Sequence, residues 1–351
     1  MSTSPSPRPG LREVGPYDSP QFDVAVRLNA NECPVPLPAA FSEDLAVAVR
    51  DLPLNRYPDG EMTALRDALA SRTGHPTDGV WPANGSNEVL TQLLQAYGGP
   101  GRSAAVFEPT YVLHRRLSWL TQTELVERRL DQPFHIGDED VAWAHAAGVD
   151  VVFVCSPNNP TGTVQTLDTI GALAAATDAL VIVDEAYADF GGESALPLVA
   201  DHANIAVVRT FSKAFALAGA RIGYVLASPT LVEDLRRVRL PYHLSAITQA
   251  AGVTALRHAD EAAASIDTIR EQRDRLVDTL SRIDGATVFP SQANFVLFQP
   301  PGDAKATWRA LLDRGVLIRD LSGVVPNALR VTAGTPHEVD LFLKSLEEVL
   351  A

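Results

Sequence analysis

Three short runs of apolar, mostly β-branched residues recur in the middle of the chain, and a polar cluster follows each of them. The runs are VVFVCS at 151–156, LVIVDE at 180–185 and IAVVRT at 205–210, and a helix-like segment, LDTIGALAAAT, lies between the first two. Buried strands that alternate with helices predict a parallel sheet built from βαβ units. The clusters SPNNPTG, DEAY and TFSK mark the carboxyl ends of these strands, where open α/β sheets bind ligands. We therefore expect the three clusters to contribute to one site.

The flanking segments predict further helices and a second unit. Apolar residues recur with helical spacing in WPANGSNEVLTQLLQAYGG at 81–99, and its polar stretch NGSN predicts the start of that helix. Residues 245–283 have a helical pattern rich in Ala and Arg. The segments ATVFP, ANFVLF, GVLIRD and ALRVTA follow, and VDLFLKSLEEVL predicts a closing amphipathic helix. These elements indicate a smaller α+β unit, with a boundary near 239–245 where Pro241 interrupts the helical pattern.

A chain of 351 residues is long enough for two domains. We expect an N-terminal arm over 1–30, a large domain over 31–244 and a small C-terminal domain over 245–351 that packs with the arm.

Charge and composition argue against several classes of protein. The net charge of -14 and the lack of a basic stripe argue against a nucleic-acid partner. Cys33 and Cys155 are far apart and the eight histidines form no HxxxH pair, so neither a disulfide framework nor a metal site is expected. The segment MSTSPSPRPG resembles a flexible arm more than a signal peptide, and no run of about 18 apolar residues predicts a membrane span. We therefore expect a cytoplasmic protein. The absence of GxxxxGK and of a helix-opening GxGxxG argues against a nucleotide-binding or dehydrogenase domain.

One of the chain's three lysines, Lys213, follows a predicted buried strand within RTFSKAFALAGARIGY. A free lysine has a pKa of about 10.4 and is a poor nucleophile at neutral pH, but burial or a nearby cation lowers that pKa, as in Schiff-base lysines. Arg221 could supply such a cation, and its guanidinium could also bind a phosphate. A helix-start lysine and a salt-bridge arginine would produce the same pattern, and this stretch alone leaves both interpretations open.

Other residues favour a lysine that binds pyridoxal phosphate. Asp184 ends a buried strand, where a carboxylate is costly without a partner, and it could keep the cofactor's pyridine nitrogen protonated. NGSNE offers backbone N–H groups for a phosphate at a helix start, and Thr210 and Ser212 could add hydroxyls. Taken alone, NGSNE is better explained as an ordinary helix cap, Asp184 could be a strand-end residue that caps the next helix, and SPNNPTG could be a tight turn.

The combination of motifs is more specific than its parts. VCSPNNPTG, VIVDEAYADF and RTFSKAFALAGARIGY resemble the fold type I, pyridoxal-phosphate-dependent aminotransferases. LNANE, RYPDG, NFVLF, GVLIRD and LRVTAG are similar to the histidinol-phosphate aminotransferases, especially the form in which NGSNE opens the phosphate-binding helix. The resemblance runs in order from about Pro16 to Pro336.

The resemblance implies an α/β fold with a large domain built on a mostly parallel, seven-stranded sheet, a smaller α+β domain, and a homodimer. It implies that Lys213 carries the cofactor and moves a proton, and that Asp184 pairs with the pyridine nitrogen. It further implies cofactor contacts from Ser86, Asn87, Tyr111, Asn159, Tyr187, Thr210, Ser212 and Arg221, and from Tyr57 of the neighbouring subunit. Many relatives have an acidic residue in place of Asn87, so no role that needs a carboxylate there is expected.

The implied reaction transfers the amino group of L-histidinol phosphate to 2-oxoglutarate, giving imidazole-acetol phosphate and glutamate, in histidine biosynthesis. Arg330, with Arg319 and Tyr17, would bind the substrate phosphate and then the carboxylate of glutamate. Arg319 could instead be a surface arginine paired with Asp320. The alternatives are an aromatic amino-acid aminotransferase, a phosphothreonine-type decarboxylase and, more distantly, a non-catalytic protein that binds the cofactor.

Overall fold

The computed structural model describes residues 5–16 and 21–351, apart from the side chain of Glu13. The strands in chain order are β1 (Val26–Arg27), β2 (Val80–Ala83), β3 (Ser103–Glu108), β4 (Glu124–Arg129), β5 (Val151–Cys155), β6 (Leu180–Asp184), β7 (Ile205–Thr210), β8 (Gly223–Leu226), β9 (Thr287–Val288), β10 (Phe295–Gln299), β11 (Val316–Leu317), β12 (Arg319–Asp320) and β13 (Leu329–Thr332). The α-helices are α1 (Ala39–Arg50), α2 (Thr63–Thr73), α3 (Ser86–Tyr97), α4 (Val112–Thr121), α5 (Asp138–Ala147), α6 (Leu167–Ala176), α7 (Pro229–Val238), α8 (Ala246–Arg257), α9 (Ala259–Leu280), α10 (Ala304–Asp313) and α11 (Pro336–Leu350).

A seven-stranded sheet forms the centre of the molecule, in the order β2-β8-β7-β6-β5-β3-β4. The pairs from β7 to β4 are parallel, and β8 runs antiparallel to both of its neighbours. The three apolar runs become β5, β6 and β7, which lie side by side. Their register pairs Cys155 with Asp184, and Asp184 with Val208. The predicted α/β fold is confirmed, and the three polar clusters start from one edge of the sheet.

The local sequence explains the elements that position this edge. Strands β5 and β6 are buried along their whole length, as expected for apolar strands covered on both faces. Helix α3 begins at Ser86, after Gly85, and packs against β7 and β8 through an apolar face that includes Leu90 and Leu93. Helix α6 begins with a side-chain cap, in which Thr166 accepts a hydrogen bond from the Thr169 amide.

A second, four-stranded antiparallel sheet has the order β12-β13-β10-β9. Helix α9 packs against β10, and α10 packs against α11. The segment GVLIRD divides between two sheets, because β11 pairs in parallel with β1 whereas β12 pairs with β13. The pattern predicted as helical over 245–283 is two helices, α8 and α9, separated at His258.

The domain boundaries remain a prediction. Helix α7 ends at Val238 and α8 begins at Ala246, so the suggested boundary falls in the loop between them. Helix α8 packs against α1 and α2, which precede the large sheet in the chain. Near the N-terminus, the guanidinium of Arg8 lies 4.2 Å from the ring centre of Trp119, and Arg116 donates a hydrogen bond to the carbonyl of Gly15. Among the described residues, no helix is both long enough and apolar enough to cross a bilayer.

Candidate active site

A cavity of about 200 Å³ opens at the carboxyl edge of β5, β6 and β7. Residues predicted to bind a cofactor contribute to its wall: Ser86, Asn87, Tyr111, Asn159, Asp184, Tyr187, Thr210, Ser212, Lys213 and Arg221. Two of the three predicted substrate residues, Arg319 and Arg330, line the same cavity. The third, Tyr17, lies outside the described residues.

Lys213 follows β7 and extends its amine into this cavity, where Nζ donates a hydrogen bond to the carbonyl of Ala30 at 3.2 Å. Burial, followed by the positive charge of Arg330, lowers the pKa of Lys213 to about 8. Glu32 opposes the shift, and Arg221 contributes less than Arg330. Arg221, the cation inferred from the sequence, therefore has the smaller effect on the pKa of Lys213. The guanidinium with the larger effect is that of Arg330 on β13, more than a hundred residues later in the chain.

Side chains that can donate hydrogen bonds to an anion lie where α3 begins. Arg221 has a left-handed backbone, with φ of 55°, and its Nη1 donates a hydrogen bond to Ser212 Oγ at 3.3 Å. Thr210 Oγ1 donates to Ser212 Oγ at 3.0 Å, which joins a second hydroxyl to the group. A Cβ on Gly85 would lie 2.8 Å from Arg221 Nη2, so glycine leaves room for the guanidinium beside the helix start. Helix N-termini with nearby guanidinium and hydroxyl donors bind phosphate.

Asp184 is buried at the end of β6, and its carboxylate has two neighbours that can donate hydrogen bonds. Oδ1 accepts from the amide of Ala186 at 3.1 Å, and Oδ2 accepts from His114 Nε2 at 3.3 Å. His114 is fully buried on α4 and stacks on Phe153 with ring centres 4.5 Å apart. The negative charge of Asp184 is thus held in the cavity wall with a partner behind it.

Tyr187, Asn159 and Arg330 form a connected polar group. The hydroxyl of Tyr187 accepts hydrogen bonds from Asn31 Nδ2 at 3.0 Å and from Asn159 Nδ2 at 3.4 Å. Arg330 donates to Asn159 Oδ1 at 2.6 Å and to the carbonyl of Asn29 at 2.9 Å. Burial raises the pKa of Tyr187 to about 12, against the opposing charge of Arg330, so its phenol stays protonated at neutral pH.

The remaining predicted residues occupy distinct places. Tyr111 precedes the first turn of α4, and its hydroxyl lies 3.5 Å from Asn87 Oδ1. Arg319 is the register partner of Arg330 across β12 and β13, and both residues line the cavity. Tyr57 does not line this cavity: it is 81 % exposed, and its ring stacks on Tyr242 at 4.5 Å.

Sequence reasoning missed two contributors to the site. His114 has the spacing of an ordinary buried helix residue, so no local signal distinguishes it. Asn31, with φ of 53°, accepts from Thr332 and Asn294 as well as donating to Tyr187. The motif LNANE contains Asn31, but its contacts are with residues far along the chain, which the motif alone does not reveal.

Residues 24–346 match the family described as aminotransferase class I and II. The chain belongs to this family. A histidinol-phosphate aminotransferase from Thermobifida fusca is 49% identical over 347 residues, which are 97% of this chain and 94% of the relative. One from Paenarthrobacter aurescens is 47% identical over 356 residues, covering 98% and 94%. The predicted resemblance of this aminotransferase to the histidinol-phosphate aminotransferases is confirmed.

The aminotransferase fold is also confirmed by solved structures. The histidinol-phosphate aminotransferase of Sinorhizobium meliloti, solved in complex with pyridoxal-5'-phosphate, superposes with a TM-score of 0.84 and 26% identity, over 93% of this chain and 91% of that one. This aminotransferase therefore shares its overall fold with an enzyme solved in complex with that cofactor.

Proposed function

We propose that this chain transfers the amino group of L-histidinol phosphate to 2-oxoglutarate with pyridoxal phosphate as its cofactor, in histidine biosynthesis. The observation that carries the proposal is that a single cavity holds one amine, Lys213, and two groups of side chains that can bind an anion. The first group is the α3 start with Ser212 and Arg221, and the second is the pair Arg319 and Arg330. Curated relatives 46–49% identical over nearly the whole chain carry the same activity in their names.

The residues fit the proposed cofactor. The α3 start, Ser212 and Arg221 supply N–H and O–H donors for its phosphate, and Asp184 supplies an anion for its ring nitrogen. When bound, pyridoxal phosphate supplies an aldehyde that takes up the amino group and a ring that withdraws electrons.

The protein's own side chains would transfer protons and hold the reacting groups in place. With its pKa lowered to about 8, Lys213 is neutral more often at neutral pH than an ordinary lysine, so its amine can condense with a carbonyl and can carry a proton between the two carbons on either side of the transferred nitrogen. The phenol of Tyr187 and the amide of Asn159 supply hydrogen-bond donors for a phenolic oxygen. Arg319 and Arg330 supply the anion site that would accept the substrate phosphate in one half-reaction and the carboxylate of glutamate in the other.

The test combines covalent trapping with a comparison of substrates. Borohydride reduction of the holoprotein should fix the cofactor at Lys213, and Lys213→Ala should reduce turnover by more than about 10⁴-fold because it removes both the nucleophile and the proton carrier. The specificity constant kcat/KM for histidinol phosphate should exceed that for phenylalanine. A preference for phenylalanine would identify an aromatic amino-acid aminotransferase, and release of carbon dioxide would identify a decarboxylase.

We also propose a homodimer in which Tyr57 reaches the cofactor phosphate of the other subunit. The exposed Tyr57 ring and the nearby exposed side chains of Leu54, Leu240 and Tyr242 support a contact surface here. Mixing Tyr57→Ala with Lys213→Ala subunits should give hybrid dimers with one intact site, and so restore about a quarter of wild-type activity after random exchange. No recovery, with hybrids demonstrated by native mass spectrometry, would contradict a contribution from the partner.

A further inference from the structure

The turn that follows Tyr187 is held by two arginines of α9. This turn, Ala188–Phe190, is a 3-10 helix that begins directly after the tyrosine. Arg270 donates from Nε to the carbonyl of Phe190 at 2.9 Å and from Nη2 to the carbonyl of Asp189 at 2.8 Å. Arg273 donates from Nη1 to the same Phe190 carbonyl at 3.1 Å. One carbonyl therefore accepts from two guanidinium groups of a helix that belongs to the C-terminal half of the chain.

Arg273 also contacts the second support of Tyr187. Its Nη1 lies 3.4 Å from the carbonyl of Ala293, two residues before Phe295. The ring of Phe295 packs edge-on against the Tyr187 ring, with centres 5.1 Å apart. Between these residues, Asn294 donates to the carbonyl of Asn31, the residue that donates to the Tyr187 hydroxyl. Arg273 thus links the Ala188–Phe190 turn to the segment from Ala293 to Phe295, which packs on the Tyr187 ring.

Burying the charged side chain of Arg273 costs free energy, and this cost has to be compensated by its contacts. Its side chain is 7% exposed, and the acidic group that it contacts is Asp274, whose side chain is 65% exposed. Burying a guanidinium is unfavourable unless its donors are satisfied. Here Nη1 donates to two carbonyls in separate segments while Nε donates to Asp274, an arrangement of two fixed nitrogens that suits the rigid guanidinium and that the single nitrogen of a lysine cannot reproduce.

The segments joined in this way are also in close contact at Gly191. A Cβ on Gly191 would lie 2.3 Å from Gln292 Oε1 and 3.0 Å from the Gln292 carbonyl, so the end of the turn abuts the segment before β10. Loss of Arg273 would leave the Ala293 carbonyl without this donor and the Phe190 carbonyl with Arg270 alone, so the contact between the two segments would loosen. Tyr187 lies between the two segments and would shift with them.

We propose that Arg273, supported by Arg270, is a positioning residue that fixes the hydroxyl of Tyr187 for hydrogen bonding to the cofactor's phenolic oxygen. This inference rests on the proposed function, because it takes that oxygen as the partner of Tyr187. A hydrogen bond donated to an ionising oxygen favours its anionic form and lowers the pH at which the proton is lost. Misplacing Tyr187 should therefore raise the pH midpoint of the bound cofactor's visible absorption band.

The experiment is a double-mutant cycle on the full-length holoprotein. Arg273→Lys keeps the charge but loses the multi-donor geometry, and Tyr187→Phe removes the hydroxyl on which Arg273 is proposed to act. Arg275→Lys is the matched control, since Arg275 lies on the same helix but pairs with the exposed Asp340. Each variant receives a spectroscopic pH titration, a measurement of kcat and KM, and a thermal unfolding curve.

We expect Arg273→Lys to raise the midpoint by about one pH unit and lower kcat about tenfold, with a smaller change in KM. In the Tyr187→Phe background the same substitution should leave the midpoint unchanged, and Arg275→Lys should leave it unchanged in both. An equal shift in both backgrounds, or a lower Tm with no shift, would overturn the positioning role. The titration needs only bound cofactor, so a wild-type protein that gives the band but does not use histidinol phosphate would refute the proposed substrate and leave this test intact.

Discussion

The imidazole of His114 lies 3.3 Å from the carboxylate of Asp184, with both side chains buried. Replacing His114 with Phe should keep the stack on Phe153 but leave one carboxylate oxygen without its donor, at a cost of about 1–3 kcal/mol. Without this donor, the carboxylate loses a contact that holds it in place to face a protonated ring nitrogen. We therefore expect the Kd for pyridoxal phosphate to rise about tenfold, measured by fluorescence titration of the apoprotein.

His114→Asn is the comparison variant, because its amide retains an N–H donor. Full recovery of the wild-type Kd with Asn and loss with Phe would assign the effect to the hydrogen bond. Equal affinity in both variants and in the wild type would show that Asp184 does not depend on His114.

The lowered pKa of Lys213 predicts how cofactor capture depends on pH. The neutral amine is the reactive form, so the rate at which the apoprotein binds pyridoxal phosphate covalently should rise with pH, pass its midpoint near 8 and level off above it. Arg330→Met removes the cation that contributes most to the shift and should move the midpoint upward. Stopped-flow absorbance at a series of pH values measures both, and a rate that still climbs steeply at pH 10 in the wild type would contradict a perturbed lysine.

Gly223 permits a close approach between β8 and the start of α3. A Cβ at this position would lie 2.1 Å from the amide nitrogen of Ser86, a distance that cannot be accommodated without moving backbone. Gly223→Ala should therefore destabilise the protein by about 1–3 kcal/mol and weaken phosphate binding as well. Gly219→Ala is the matched control, because no atom lies within 4 Å of its Cβ position and its φ is not in the left-handed range. Thermal unfolding and a phosphate competition assay check the two effects, and equal behaviour of the two variants would be evidence against the steric explanation.

His258 gives the stability of the fold a pH dependence. Its Nε2 donates to Asp44 on α1 at 2.9 Å and its Nδ1 to Glu261 on α9 at 3.4 Å, and the bond to Asp44 is the main cause that raises the pKa of His258. A group whose pKa is raised by folding contributes its full stabilisation below its unfolded-state pKa, which for histidine is about 6.5. That stabilisation is lost as the pH rises through the raised folded-state pKa. The Tm difference between wild type and His258→Gln should thus be largest near pH 6 and shrink towards pH 9. The matched control is His337→Gln, at an exposed position of α11.

Local sequence was sufficient for the parts of the site that follow directly from strand ends. Lys213 and Asp184 come from short apolar runs whose length and composition predict buried strands, and the sheet places their polar ends together. Contributions from distant segments were not predictable in this way. Arg330, which lowers the pKa of Lys213 more than Arg221 does, reaches the cavity from β13 in the other sheet.

Strand pairing explains a second limit of sequence reasoning. The segment GVLIRD is uniformly strand-like, yet β11 and β12 join different partners. That division depends on β1, which lies about 290 residues earlier, so it is a property of the tertiary structure. Hydrophobic periodicity predicts which residues become buried, but it does not predict which distant strand they pair with.

The cavity wall joins two widely separated segments of the polypeptide, since Arg330 donates to the carbonyl of Asn29 across 301 positions of sequence. During synthesis, the segment around Asn29 leaves the ribosome first and has this partner only after β13 has also emerged. A nascent or prematurely terminated chain that stops before β11 therefore carries Lys213 without Arg319 and Arg330. Such a fragment cannot assemble the complete anion site, so amino transfer becomes possible only after β13 has been synthesised.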